Sequence, residues 1–226
     1  MRILIVAATG AEIAPVVAGL ELRSEYAPRL NTYARAGHDV DVLTTGVGMV
    51  ATAAWCSRQL AQRHYDLALN LGVCGSFDRT LGPGTVVHVE SDRISELGAE
   101  DDDAFLTIEA MKLLSENDLP FTGDRPINLA PPANDVLRRL RAVDGITVNT
   151  VHGSERSIAV VVERFRPEVE SMEGAAFMYA CLIADVAFAQ VRAVSNVVEK
   201  RNCTAWKMAE AIRSLGEVAL GIIDHA

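Results

Sequence analysis

Val169-Glu170-Ser171-Met172-Glu173-Gly174-Ala175-Ala176 begins with a β-favouring residue, ends in small residues and runs into an apolar segment from Ala175 to Ala184. It reads as a strand that turns straight into a helix. Such a turn puts backbone N–H groups and an acidic side chain at the mouth of a sheet, where open α/β folds bind ligands. Glu170 and Glu173 also suit a helix start in their own right, since negative charge there is worth about 0.3–1 kcal/mol. The rest of the chain bears on which reading holds.

The flanking segments extend the pattern. Upstream, Ser157 to Phe165 (SIAVVVERF) has the β-branched run of a strand and the polar ends of a helix. Downstream, Phe188 to Val194 (FAQVRAV) is a strand that runs into Ser195-Asn196. From about Asn202 to Ile223, helical spacing links Trp206, Ala209, Ile212, Leu215, Gly216, Ala219 and Ile223.

The N-terminal half repeats the strand-then-turn theme. Ile3 to Ala8 is a continuous apolar run, the mark of a strand buried on both faces. Thr9 and Glu12 then have the spacing of a capping box opening a short helix towards Leu20, which is a structural role for Glu12. Asp39 to Thr45 leads to Gly46-Val47-Gly48-Met49 and a helix from Ala51 to Arg63, the order of a phosphate- or ribose-binding loop. Leu67 to Leu71 ends at a second small-residue turn, Gly72 to Ser76, and Gly84 to Ser91 is a further strand.

Asp92 to Asp135 is irregular: Asp101 to Asp103 read as a solvated loop and Leu106 to Asn117 as a helix. Asn134 caps a helix reaching about Val143, and Gly145 to Val151 is a strand. The order predicts an α/β fold, a mixed and largely parallel sheet flanked by helices in three layers, over one domain spanning residues 1–226.

Composition removes several function classes. The chain has 226 residues, 50% of them hydrophobic, and a formal net charge of −9. That charge and the lack of a basic stripe argue against nucleic acid as a partner. Charges or glycines interrupt every apolar run, so neither a membrane span nor a signal peptide is expected, and the cytoplasm is the expected compartment. Cys56, Cys74, Cys181 and Cys203 are scattered, with no metal-ligand spacing, so neither disulfides nor zinc are expected. What remains is one sheet edge carrying Glu12, the glycine turns, Glu173 and Asn196, which suits a polar small molecule with hydroxyls.

These motifs resemble the nucleoside phosphorylase and nucleosidase superfamily, in its hydrolase branch, over essentially the whole chain. The resemblance rests on the opening strand with Glu12, on GVGM, NLGVCG and ESMEGAA, and on VRAVSN followed by a long helix. TVHGS, ESMEGAAF and SNVVEKRN point to the members that cleave futalosine to hypoxanthine and dehypoxanthine futalosine in menaquinone synthesis. Members acting on 6-amino-6-deoxyfutalosine or methylthioadenosine, a phosphorylase, and a non-catalytic nucleoside sensor are the alternatives.

The resemblance implies a role for each motif residue. Glu12 would guide the attacking water, Glu173 would accept the ribose hydroxyls with Met172 against the sugar, and Arg192 would hold the water and nearby polar groups. Trp206 would lie against the 5′ substituent, with Val73, Gly75 and Ser195 lining the site; a homodimer or higher homo-oligomer is implied, and no metal or cofactor. Trp206 equally fits the core of the last helix, and Asn196 equally fits a cap. Val73 stands where related nucleosidases tend to have Ser, and no purine-stacking aromatic is evident near His152 to Ser154.

Asn196 stands where adenine-specific relatives carry Asp. A 6-oxopurine presents two acceptors side by side, N7 and O6. A carboxamide NH2 offers two donors and no proton to give up, so Asn196 favours hypoxanthine over adenine. The first turn reads ATGAE, with an acid and no arginine, so it favours water over phosphate as nucleophile.

Overall fold

The computed structural model describes residues 1–27, 29–114 and 118–226. Its core strand, β1 (Arg2–Ala7), is buried on both faces because its side chains alternate. Ile3, Ile5 and Ala7 pack with Ile13 and Val16 of α1 (Gly10–Ala18) and with Leu215, Ala219 and Ile222 of α5 (Met208–Asp224). Leu4 and Val6 pack instead with Cys56 of α2 (Met49–Gln62) and with Phe177, Met178 and Cys181 of α4 (Gly174–Ala184). These are the three layers that the apolar run implied.

The other strands are β2 (Glu21–Ala27), β3 (Leu30–Arg35), β4 (His38–Thr44), β5 (Leu67–Ser76), β6 (Val86–Ile94), β7 (Gly98–Asp101), β8 (Ala104–Thr107), β9 (Arg141–Thr147), β10 (Val169–Ser171) and β11 (Phe188–Val197). Among the described residues eight of them join β1 in one sheet, in the order β10-β9-β6-β11-β5-β1-β4-β3-β2. β1 runs parallel to β4 and β5, and β5 parallel to β11, while β6 is antiparallel to β11. β10 pairs with β9 and also, antiparallel, with β5, so β5, β11, β6, β9 and β10 close into a ring.

Several sequence expectations are corrected. Gly72 to Ser76 is not a turn but the second half of β5, kept extended by pairing with both β11 and β10. Ser157 to Phe165 resolves as helix: α3 (Glu155–Phe165) is capped by the Ser154 hydroxyl, which accepts the Ser157 N–H at 3.2 Å. The helix expected after Asn134 shrinks to a single turn at Leu137–Arg139, because β9 begins at Arg141 and is drawn into the sheet beside β6. The cap itself is present: Asn134 Oδ1 accepts the N–H groups of Val136 and Leu137. Leu106 onwards is not helical, since Leu106 and Thr107 belong to the β7–β8 hairpin; residues 115–117 of that expected helix lie outside the described residues. The hairpin of β2 and β3 extends the sheet beyond β4, where no strand was expected.

Candidate active site

Glu12 is held by two independent sets of donors. The Thr9 backbone N–H and hydroxyl donate to Oε2 at 3.0 and 2.9 Å, completing the capping box. Oε1 accepts the Val73 N–H from β5 at 3.2 Å. The helix cap and the link to β5 therefore use different oxygens of one carboxylate, which is 9% exposed. The capping reading of Glu12 is correct without being complete.

Arg192 on β11 is 1% exposed, a buried guanidinium. Its Nη2 donates to Asn70 Oδ1, and the Asn70 amide donates in turn to the Val6 carbonyl at 3.0 Å. Its Nη1 lies 3.8 Å from Glu173 Oε2. Gly72, its register partner on β5, makes room for it. A Cβ at Gly72 would collide with Arg192 Nη1 and stand 3.0 Å from Glu12 Oε1. One point beside the strand thus adjoins both groups. A buried cation flanked by two carboxylates is far less costly than a lone one.

Glu173 is the N-cap of α4, yet its side chain caps nothing. Its Oε1 accepts the Gly48 N–H at 3.0 Å, at the end of the turn that opens α2. Gly48 has φ +98, a conformation that favours glycine and aims this N–H at the carboxylate. Glu173 Oε2 stands toward Arg192. Arg29 Nη1 donates to the carbonyls of Thr44 and Thr45 at 3.3 and 3.0 Å, which commits that guanidinium to the end of β4.

At the far end of β11, a register shift lies between Val194 and Asn196. Asn196 Nδ2 donates to the Val197 carbonyl at 3.0 Å, and Oδ1 lies 2.8 Å from Ser195 Oγ. A carbonyl can only accept, so the amide end facing Val197 is the NH2. The Ser195 hydroxyl proton is shared between Asn196 Oδ1 and the Cys74 carbonyl at 3.1 Å. One N–H of Asn196 is left for another acceptor. The point where a Gly75 Cβ would stand is 3.5 Å from Asn196 Nδ2 and 3.4 Å from Glu170 Cγ, and a Cβ there would crowd Val198 Cγ2 at 2.8 Å.

Met172 and Trp206 sit further out. Met172 is half-buried against Ile146, Val148 and Val161. Trp206 precedes α5 instead of joining its buried face, so its expected place in a helix core is corrected; it is half-buried with Arg201 Cζ 5.6 Å from its ring centroid. Its segment is pinned at the site: the Lys207 N–H donates to the Ser195 carbonyl at 2.8 Å and the Arg201 N–H to the Gly153 carbonyl at 3.0 Å.

Sequence reasoning missed Asn70 and the role of Glu170. Asn70 carried a signal, a lone amide inside the apolar run LALNL. Glu170 is buried, and its carboxylate takes the His152 backbone N–H at 3.2 Å and pairs with His152 Nδ1 at 2.7 Å. Nothing local in the sequence couples those positions. Cys56 and Cys74 offer no nucleophile, because burial pushes their thiols up to about 12. Among the described residues no three His, Cys, Asp or Glu side chains cluster to hold a metal ion, and no helix is long and apolar enough to cross a membrane.

A family model described as the phosphorylase superfamily matches residues 2–224. The chain belongs to the phosphorylase superfamily. Among superfamily proteins it is similar to a futalosine hydrolase of Acidothermus cellulolyticus, with 32% identity over 94% of this chain and 86% of that protein. It is also similar to a futalosine hydrolase of Streptomyces coelicolor, with 31% identity over 77% of this chain and 74% of that protein. The superfamily fold is equally plain in a solved 5′-methylthioadenosine/S-adenosylhomocysteine nucleosidase of Neisseria meningitidis in complex with methylthio-immucillin-A. The two share a TM-score of 0.80, with 16% identity and coverage of 100% of this chain and 99% of that one.

Proposed function

We propose that this superfamily member hydrolyses the N-glycosidic bond of futalosine, giving hypoxanthine and dehypoxanthine futalosine, a step of menaquinone biosynthesis. The observation that carries this reading is the group of charged side chains Glu12, Arg192 and Glu173, with the Asn196 amide further along β11, the strand that carries Arg192. The similarity to two futalosine hydrolases supports the choice of substrate.

In this reading Glu173 accepts the 2′ and 3′ hydroxyls of the ribose, with Met172 against the sugar. Glu12 orients a water and takes its proton as the new O–C1′ bond forms. The C1′–N9 electron pair leaves with the purine through an oxocarbenium-like sugar. Asn196 donates to the 6-oxopurine as charge builds on it, with Ser195 fixing the amide; the proton taken by Glu12 ends on hypoxanthine, and the water's other proton stays on the new anomeric hydroxyl. Arg192 holds the water and the nearby polar groups. Val73 and Gly75 line the site along β5, and Trp206 meets the 5′ arm.

The catalytic unit is residues 1–226 in the cytoplasm, acting as a homodimer or higher homo-oligomer. Val47 and Val50, beside the Gly48 turn, are 57% and 82% exposed, and Tyr179 and Ile183 of α4 are exposed too. Covering these side chains in a second copy would remove apolar surface from water next to the ribose end.

Incubating the purified protein with futalosine in phosphate-free buffer tests the reading. Release of hypoxanthine at a rate unaffected by added phosphate is expected. Ribose-1-phosphate products would show a phosphorylase instead, and faster release of adenine from the 6-amino analogue would overturn the 6-oxopurine preference.

A further inference from the structure

A helix N-cap ordinarily uses its own side chain to satisfy the first free N–H groups of the helix. Glu173 cannot do so, because its carboxylate is turned to Gly48. Other residues take over. Ser171 Oγ accepts the Gly174 N–H at 3.2 Å. Thr147 Oγ1, from β9, accepts the Ala175 N–H at 2.7 Å.

The Thr147 hydroxyl is itself oriented. It donates to Asp92 Oδ1 at 2.9 Å, which leaves its lone pairs facing Ala175. Asp92 Oδ2 accepts from Gln190 Nε2 at 2.8 Å, and Gln190 Oε1 has no hydrogen-bond partner of its own. Thr147, Asp92 and Gln190 are each about 1% exposed or less. Gly174 lies directly against this group, since a Cβ there would collide with Gln190 Oε1 and Asp92 Oδ2. The first turn of α4 is thus seated on a buried polar cluster drawn from β6, β9 and β11.

We propose that Asp92 and Thr147 are positioning residues for ribose recognition: Asp92 aims the Thr147 hydroxyl, Thr147 holds the Ala175 N–H, and the seated helix turn frees and places the Glu173 carboxylate. The cluster touches no substrate. It lets a residue at a helix cap spend its carboxylate on a ligand. The proposal rests on the reading of Glu173 given under Proposed function.

The test compares futalosine with its 2′-deoxy analogue, because Glu173 distinguishes them only if its carboxylate is held in place. The wild-type protein is expected to favour the ribonucleoside in kcat/KM. In Thr147→Val, which keeps the shape and loses the acceptor, that ratio is expected to fall about tenfold, the worth of one hydrogen bond to a charged group. The rate on the 2′-deoxy analogue should stay within about threefold. Thr147→Ser restores the hydroxyl and should restore the ratio, which a packing role for the Thr methyl would not do. Hydrogen exchange of residues 174–177 without ligand should quicken in Thr147→Val and not in Thr147→Ser.

Should Thr147→Val fail to fold, Asp92→Asn probes the link from its other end. With Gln190 already donating from one side, the new amide turns its NH2 toward Thr147 and competes with Ala175, and the ratio falls in the same direction. A wild-type preference that every folded variant keeps, with unchanged exchange at 174–177, overturns the seat alone. A wild-type protein that cleaves both nucleosides equally fast overturns the reading of Glu173 and the seat with it.

Discussion

The Gly48 backbone N–H donates to Glu173 Oε1 at 3.0 Å, joining the turn before α2 to the turn before α4. The other Glu173 oxygen faces Arg192 at 3.8 Å. Because Ser171 and Thr147 cap α4, Glu173 can be changed without unseating the helix. Glu173→Gln should therefore leave the melting temperature within a few degrees of wild type. It should lower kcat/KM for futalosine by about tenfold to a hundredfold, the worth of charged hydrogen bonds to ribose. A loss below threefold would count against ribose recognition by this carboxylate.

Glu12 is tested by the same exchange. In Glu12→Gln the amide oxygen can keep the Thr9 donors, but the NH2 then faces the Val73 N–H, which loses its acceptor, so stability should fall by about 1–3 kcal/mol in urea unfolding. Its basicity is gone, and single-turnover hydrolysis should slow by about 10²–10⁴-fold, the range for a lost general base. Hydrolysis at the wild-type rate would remove Glu12 from the water-activating role.

Two glycines make a matched pair. Gly72→Ala would push a methyl into Arg192 Nη1 and to 3.0 Å from Glu12 Oε1. Both partners are buried, so neither can retreat into solvent, and a loss of about 1–3 kcal/mol with collapse of activity is expected. Gly82→Ala meets nothing within 4 Å. It should be neutral or stabilising by up to about 1 kcal/mol, through the unfolded chain alone. Denaturant midpoints of the two variants decide the matter, and equal effects would refute the packing argument.

In the proposed reading Asn196 selects the base. Asn196→Asp exchanges one donor edge for a group that can accept, or donate when protonated, and a 6-aminopurine uses that better. The ratio of hypoxanthine release from futalosine to adenine release from its 6-amino analogue should fall about tenfold or more. Chromatography of the released bases would show it. An unchanged ratio would assign base choice to other groups, such as Glu170 and His152.

Asp92 gives stability a pH dependence. Burial is the main cause that raises its carboxyl from 3.8 to about 7, with the hydrogen bond from Thr147 and the charge of Arg192 opposing. An acid with a raised folded-state pKa binds its proton more tightly in the folded chain. Its stabilising contribution is present at low pH, declines from about pH 4 to about pH 7, and is flat above that. Asp92→Asn has no such proton. The stability of the variant relative to wild type should therefore rise between pH 4 and 7, by up to about 4 kcal/mol. A difference independent of pH would show that Asp92 does not titrate in this range.

Much of this was legible where the signal was local. The apolar run of β1, the Thr9–Glu12 spacing and the small residues after Glu173 each name a local geometry, and each element formed as read. Asn196 was legible because the expected strand stops there, whereas Arg192, in the middle of β11, came only through the family resemblance. The rest depended on contacts between distant segments. Gly72 to Ser76 looks like a turn to its neighbours, yet pairing on both sides holds it extended. β9 replaced most of a capped helix because an open edge of β6 was available to it. Thr147, Asp92 and Gln190 are unremarkable in sequence and meet only through the fold.

The three residues of β10 complete the ring of strands, as a last stave closes a cask. The same stave faces Gly75 near the Asn196 amide at one end and delivers Glu173 at the other. An insertion or deletion between Val169 and Glu173 would displace both ends at once. If Glu173 grips the sugar and Asn196 the base, as proposed, the two selections are coupled by construction, and an engineer who wants to alter one alone must leave this short strand untouched.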